Sequence, residues 1–303
     1  MRIATAYAAQ AAVNSINDRQ AQLAQAQSRV SSGLRVERPS DDPAAAAEAE
    51  RMRSRDARIG TELRVLGQAR QMLSSADTAI ADANDVLQSA RDTLLKAGNG
   101  TGSTADRQSL SMALQQMRDQ LLGIANRGDG VGGFIFGGQG SGSAPFSGNG
   151  LSYVAPAGTV LVGQEMAAEV AVDGRASMAA VKVPGGGTEN IFDRLDAAIA
   201  ALADSSLSQA GAAAAAMGIV DSVDRSLAAL STARTRVGER LGALEMHEKA
   251  LESGKIDTLG RLSDLIDVDF AQAVSQLSQG ATASEAALKS YAQIARLSLF
   301  SYL

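Results

Sequence analysis

Met52, Ile59, Leu66, Leu73, Ile80, Leu87 and Leu94 recur every seven residues without a miss, and Ala69, Ala76, Ala83, Ala90 and Ala97 follow three places after the later ones. Large then small apolar side chains at this interval keep one narrow face of a helix apolar and let a second helix approach closely. The stretch from Ala44 to Ala97 therefore predicts a single helix, roughly 80 Å long at about 1.5 Å per residue, where the average helix has about 11–12 residues. A helix of that length does not fit inside a ball, so the chain reads as a rod.

A matching seam lies in the second half. Val220, Val223, Leu227, Leu230, Val237, Leu241, Leu244 and Leu251 fill eight of ten successive seam positions, with Arg234 and Glu248 in the other two. Ser253-Gly254 reads as a break or phase shift, after which Leu259, Leu262 and Ile266 lead toward the end of the chain. The first half of the rod is thus expected to fold back against the second.

Both termini carry stripes of the same kind. Val13, Ile16, Leu23, Val30 and Leu34 alternate by threes and fours, with Gln20 and Gln27 in the remaining slots. Near the other end run Phe270, Val274, Leu277, Ala281, Leu288, Tyr291, Ala295 and Tyr302, interrupted by Ser284 and Ser298. Neither stripe has enough sequence beside it to close a core. Pairing the termini with each other buries part of both stripes and leaves an outer surface for further copies or related chains.

Between the seams the composition changes. Gly98-Asn99-Gly100 ends the long helix, Ser103 or Thr104 can cap the next, and its stripe is Leu110, Leu114, Met117, Leu121 and Ile124. Glycines then crowd around Phe134-Ile135-Phe136, and β-type runs follow at Val160-Leu161-Val162, Val170-Ala171-Val172 and Val181-Lys182-Val183. An insert of roughly 60 residues is marginal alone and needs the rod it interrupts. Helix returns at Ile191-Phe192-Asp193 and, after a Ser-rich turn, the second seam begins.

The expected fold class is mainly α: an elongated rod of long antiparallel helices, N- and C-terminal helices paired, with a small β-rich insert. Its expected parts are 1–43 plus 255–303 as terminal coiled-coil helices for axial assembly, 44–130 plus 190–254 as a long helical bundle, and 131–189 as a Gly-rich, outward-facing insert.

Composition removes several functions. Hydrophobic residues are 45% of the chain but aromatics only 3%, a balance suited to helix-on-helix packing. The absence of cysteine excludes disulfides, thiolate catalysis and the usual zinc sites. A formal charge of -5 disfavours nucleic acid, and the cluster Arg51, Arg53, Arg55, Arg58 is interleaved with Glu48, Glu50, Asp56 and Glu62. No apolar run is long enough to insert in a membrane, and the opening Met1 to Tyr7 lacks the pattern of a cleaved signal.

Chemical motifs fare no better. Gly128-Asp129-Gly130-Val131-Gly132-Gly133 spells a dinucleotide fingerprint, but it follows a helix and opens none, so it reads as a flexible hinge. His247 is the single histidine, and Glu245 and Glu248 do not converge with it on one metal, which leaves a solvated helix face. Arg127-Gly128-Asp129 is read as a chance tripeptide, and Asp267 and Asp269 as part of a junction between helices. No catalytic, cofactor-binding or metal residue is expected.

The remaining motif joins the first two helices: Ser31-Ser32-Gly33-Leu34-Arg35-Val36-Glu37-Arg38-Pro39-Ser40-Asp41-Asp42-Pro43. Gly33 can end the first helix, Pro39 forces its predecessor extended, and Asp41 or Asp42 can cap the second helix with Pro43 in its first turn. This segment resembles the signature of the flagellin superfamily, and the Arg-Pro-Ser-Asp-Asp-Pro form is similar to the hook–filament junction branch of it. Pro39 and Pro43 set it apart from flagellins proper. Further likenesses are Met1-Arg2-Ile3, Ala97 to Thr101, Phe134 to Gly138, Ile266 to Phe270 and Leu297 to Leu303.

The resemblance implies an extracellular structural part of the bacterial flagellum, exported without a cleaved signal through the flagellar type III apparatus. Its implied partners are other copies of itself in a ring, the first hook-associated protein, flagellin and an export chaperone. The terminal helices would then pack near the axis of a tubular assembly, with the insert outward. Two alternatives are a flagellin-type filament subunit and a secreted enzyme with its site in the insert.

Overall fold

A computed structural model of the protein describes residues 2–99, 103–130, 132–138, 142–154, 160–161, 167–168 and 170–300, with backbone alone at 2–6, 8–9, 160–161, 167–168 and 294–300. Gly100, Thr101, Val162 and Tyr302, together with the side chains of Ala295 and of the closing motif, lie outside this description.

The described chain is mainly α. Its helices are α1 (Arg2–Ser32), α2 (Pro43–Gly98), α3 (Thr104–Ala125), α4 (Ile191–Ala203), α5 (Gln209–Ile266) and α6 (Phe270–Phe300). Between α3 and α4 come three antiparallel two-residue ladders: β1 (Phe146–Ser147) with β2 (Ser152–Tyr153), β3 (Val160–Leu161) with β4 (Ala167–Ala168), and β5 (Val181–Lys182) with β6 (Thr188–Glu189). None of the helices among the described residues is long and apolar enough to cross a membrane.

Local chemistry starts α2, α3 and α4. Pro43 is the first residue of α2, and Asp42 Oδ1 accepts from the Ala45 N–H at 3.0 Å. Ser103 forms a reciprocal capping box with Asp106 at the head of α3. Asn190 caps α4 by accepting from the Phe192 N–H at 2.9 Å.

Two compact units divide the chain, Met1–Ile59 with Glu252–Leu303, and Gly60–Leu251. In the second, the heptad residues Leu66, Leu73, Ile80, Leu87 and Leu94 are fully buried with Val223, Leu230, Val237 and Leu244 of α5. The ion pairs Arg91–Asp224, Asp77–Arg234 and Arg70–Glu248 run in opposite senses along the two helices, which fixes them antiparallel. Arg234 and Glu248, the two charged seam positions, are thus paired across the helices.

The insert shares this core. Phe136, Phe146 and Met178 are buried with Phe192 of α4, and the Phe146 ring meets Tyr153 and Phe192 edge-on at 4.9 and 5.4 Å. The Tyr153 hydroxyl lies 2.8 Å from both the Phe136 carbonyl and Asp173 Oδ1, which share its single proton.

Four expectations are corrected. Helix α5 continues through Ser253-Gly254, whose lower propensity of about 1 kcal/mol is outweighed by the helix on both sides. Val170–Val172 forms no hairpin strand; Val172 N–H donates to Ile135 O at 3.0 Å, tying it to the Phe134–Phe136 run. The glycine loop after α3 is stapled shut, Asp129 N–H to Gly133 O at 3.0 Å and Gly133 N–H to Asp129 Oδ1 at 2.8 Å, instead of being a free hinge. His247 is half-buried and its Nε2 lies 3.1 Å from Glu62 Oε1 on α2, so it faces a neighbouring helix and not solvent alone.

Candidate assembly interface

In the first unit, the turn between α1 and α2 and the corner between α5 and α6 are built as one piece. Gly33 has φ +74°, a conformation that a side chain resists, and its N–H closes α1 on Arg29 O at 3.0 Å. Its carbonyl accepts from Val268 N–H at 2.9 Å, while Ile266 O accepts from Arg35 N–H at 2.7 Å and Val36 N–H at 3.3 Å. The α5 carbonyls that a helix end leaves unpaired are thereby satisfied by the turn motif.

Side chains complete the joint. Arg35 donates to the Leu265 carbonyl and approaches Asp42 at 3.4 Å. Asp41 Oδ2 accepts from the N–H groups of Glu37 and Arg38 at 3.2 and 3.0 Å, which shapes the loop carrying Pro39 and Ser40, both exposed. Beneath it Val36, Ala45, Ala49 and Ile266 form a small buried cluster. The Ala45 amide, aided by Arg35, holds the Asp42 carboxyl below its ordinary range, and Ser32 followed by Ser28 does the same for Glu37. On the α6 side Asp269 accepts from Gln272 N–H at 3.1 Å and Asp267 from Ser263, so the two aspartates serve helix ends.

Helices α1 and α6 pack together. On α1 the structure places Val13, Ile16, Leu23, Val30 and, past the helix end, Leu34 as half-buried, with Gln20 and Gln27 exposed. On α6 the residues turned inward are Ala273, Leu277, Gly280, Ser284, Ala287 and Tyr291, with Ala273 and Ser284 buried. A side chain at Gly280 would lie 3.5 Å from Leu23 Cδ1, which marks the crossing.

Phe270, Val274 and Leu288 remain 58%, 45% and 46% exposed. They form a second stripe with Ala281, roughly 70° around the helix from the first at 3.6 residues per turn. Sequence reasoning placed Leu277 and Tyr291 on the stripe and Ser284 as its interruption, and missed Ala273, Gly280 and Ala287 because they are small. The signal was present as a second alternation by threes and fours, Ala273, Leu277, Gly280, Ser284, Ala287, Tyr291.

Among the described residues there is no group of three or more His, Cys, Asp or Glu placed to hold a metal ion. The arrangement offers an exposed apolar stripe on a helix whose other side is already held, next to a rigid corner.

Residues 3–141 match the bacterial flagellin N-terminal helical region. The chain is 32% identical to flagellar hook-associated protein 3 of Escherichia coli (strain K12), covering 99% of both chains. It is 30% identical to phase 1 flagellin of Salmonella naestved, over 38% of this chain and 23% of the flagellin. The solved structure of flagellar hook-associated protein 3 from Legionella pneumophila superposes with a TM-score of 0.61 at 17% identity, covering 71% of this chain and 98% of that one, a likeness of fold.

Proposed function

The chain belongs to the flagellar hook-associated protein 3 family, and from that membership we propose how it works: as a structural adaptor of the bacterial flagellum that joins hook to filament by shape and stacking. The family is one of structural flagellar proteins. The observation that carries the mechanism is the exposed stripe Phe270, Val274, Leu288 on α6, on the flank of the α1–α6 pair. Burying it against neighbouring subunits removes apolar surface from water and supplies the drive for assembly.

In this reading the terminal segments 1–43 and 255–303 carry the axial contacts, the helices of 44–130 and 190–254 form the wall, and 131–189 faces outward. Neighbours are other copies of the chain, the first hook-associated protein on one side and flagellin on the other. An export chaperone covers the apolar termini before the chain passes, unfolded, through the flagellar type III apparatus to the cell exterior.

Electron microscopy of flagella from a strain lacking this chain tests the reading. Bare hooks on the cells with free filaments in the medium are expected; intact flagella overturn it. The rival reading, a bulk filament subunit, draws on the flagellin likeness of residues within 3–141. Purified chain that polymerises unaided into long filaments favours that rival.

A further inference from the structure

The second unit carries two charged stripes of opposite sign on different helices. One borders a groove of about 600 Å³ between the insert and α5. Its floor is made of small apolar groups, Ala228, Ala229 and Ala233 of α5 facing Ala176, Ala180 and Val181 of the insert. Lys182, Arg225, Arg236 and Arg240 stand around it. Arg225 is committed to Glu189 at 2.7 Å, whereas Lys182 and Arg236 are exposed and make no ion pair among the described residues. Asp173, the one acid of the lining among the described residues, accepts from the Tyr153 hydroxyl and the Arg175 N–H. The groove therefore presents net positive charge.

The other stripe lies on α2. Asp82, Asp85, Ser89 and Asp92 are spaced three, four and three, which puts them on one face. Asp82 is held by Arg127 at 2.7 Å, and Asp85 and Asp92 are exposed without an ion pair among the described residues. From Asp82 to Asp92 the helix rises about 15 Å, and from Arg225 to Arg240 about 22 Å, so the acidic stripe fits within the length of the basic one. An alanine floor lets a helix approach closely, and the opposite signs set the register.

We infer that the groove of one copy receives the Asp85–Asp92 face of α2 from a second copy, as the lateral contact between neighbouring subunits. Two different patches meet, so the contact is heterologous and continues from copy to copy as a ring or helix instead of closing as a pair. This deepens the adaptor reading by naming the surfaces through which copies touch.

The natural chain contains no cysteine, which leaves a clean background for cross-linking. Cells producing full-length Arg236→Cys and Asp85→Cys chains together are oxidised, and the sheared flagellar fraction is probed for a dimer. A dimer that needs both variants is expected; its absence when both chains are present in the fraction overturns the inference, as does cross-linking of either variant to a different protein instead. In a second arm, Lys182→Glu with Arg236→Glu, or Asp85→Lys with Asp92→Lys, each lower incorporation at least roughly tenfold. Combining both sets in one chain restores it. Unchanged incorporation with either set alone, or no recovery on combining them, overturns the contact; all four side chains are exposed, and a thermal melt of each purified variant verifies folding. A cross-link formed by chains located away from the junction would leave the contact standing and remove the adaptor reading.

Discussion

Arg118 on α3 and Asp196 on α4 form a two-point pair, Nε to Oδ1 at 2.9 Å and Nη2 to Oδ2 at 3.1 Å, and the arginine side chain is only 5% exposed. The same guanidinium reaches the Asn149 carbonyl and lies 5.7 Å from the centre of the Phe192 ring. One cation thus ties two helices to the β1–β2 turn. Asp196→Ala leaves that buried cation short of its main partner, and a loss of about 2–4 kcal/mol is expected. Urea denaturation of the full chain measures it; a change within experimental error would mean that the other contacts hold Arg118 by themselves.

Two glycines with similar backbones should respond differently to alanine. Gly33 has φ +74° with open space around the missing side chain, so Gly33→Ala should cost about 1–2 kcal/mol from conformation alone. Gly150 has φ +88°, and a Cβ there would sit 2.6 Å from Phe192 Cγ in the core. Gly150→Ala adds overpacking and should cost about 3 kcal/mol or more. Equal costs in thermal or urea unfolding would contradict the role given to Phe192.

Glu189 is buried with Arg225 at 2.7 Å, Arg194 at 3.1 Å and Ser222 at 2.9 Å. Burial pushes its carboxyl up, but the bonds from Arg225 and Ser222 outweigh this and the net shift is below the ordinary 4.5. A depressed folded-state value stabilises above the unfolded value and is lost as pH falls through the folded one. Stability should therefore be flat near neutrality and drop progressively below 4.5. Glu189→Gln should be less stable at neutral pH with a shallower acid slope. An unaltered acid slope would remove Glu189 from the explanation.

Leu277 and Leu288 separate holding from assembling. Leu288→Asp places charge on the exposed stripe and should leave the helix content of the monomer unchanged while abolishing incorporation into flagella. Leu277, half-buried between the two stripes, should do both: Leu277→Asp loosens the α1–α6 pair and blocks incorporation. Circular dichroism and immunoblots of sheared flagella read the two effects. Normal incorporation of Leu288→Asp would count against the stripe as a contact.

Loss of Asp42 should be modest and local. Asp42→Ala removes the acceptor of the Ala45 N–H and the partner of Arg35, and a small loss of stability is expected, as for other helix caps. Hydrogen exchange at the first turn of α2 should rise, with protection of Leu73 and Leu87 unchanged. Global loss of protection would show that the turn motif supports far more than its own joint.

The long helices, their caps and the corner motif were readable from the chain because each depends on near neighbours. A seven-residue repeat, an Asp before a Pro and a glycine past a helix end act over one or two turns, and Leu66, Asp42 and Gly33 do what their local context prescribes. Other choices needed distant partners. Two alternations on α6 satisfied the same helical period, and only packing against α1, where Leu23 meets Gly280, turned Gly280 and Ser284 inward and left Phe270 and Leu288 outside. His247 met Glu62 across 185 positions, and the two-residue ladders of the insert carry too few residues to show a period of their own. Periodicity tells which faces of a helix can be buried; the surface brought to it by the rest of the chain decides which one is.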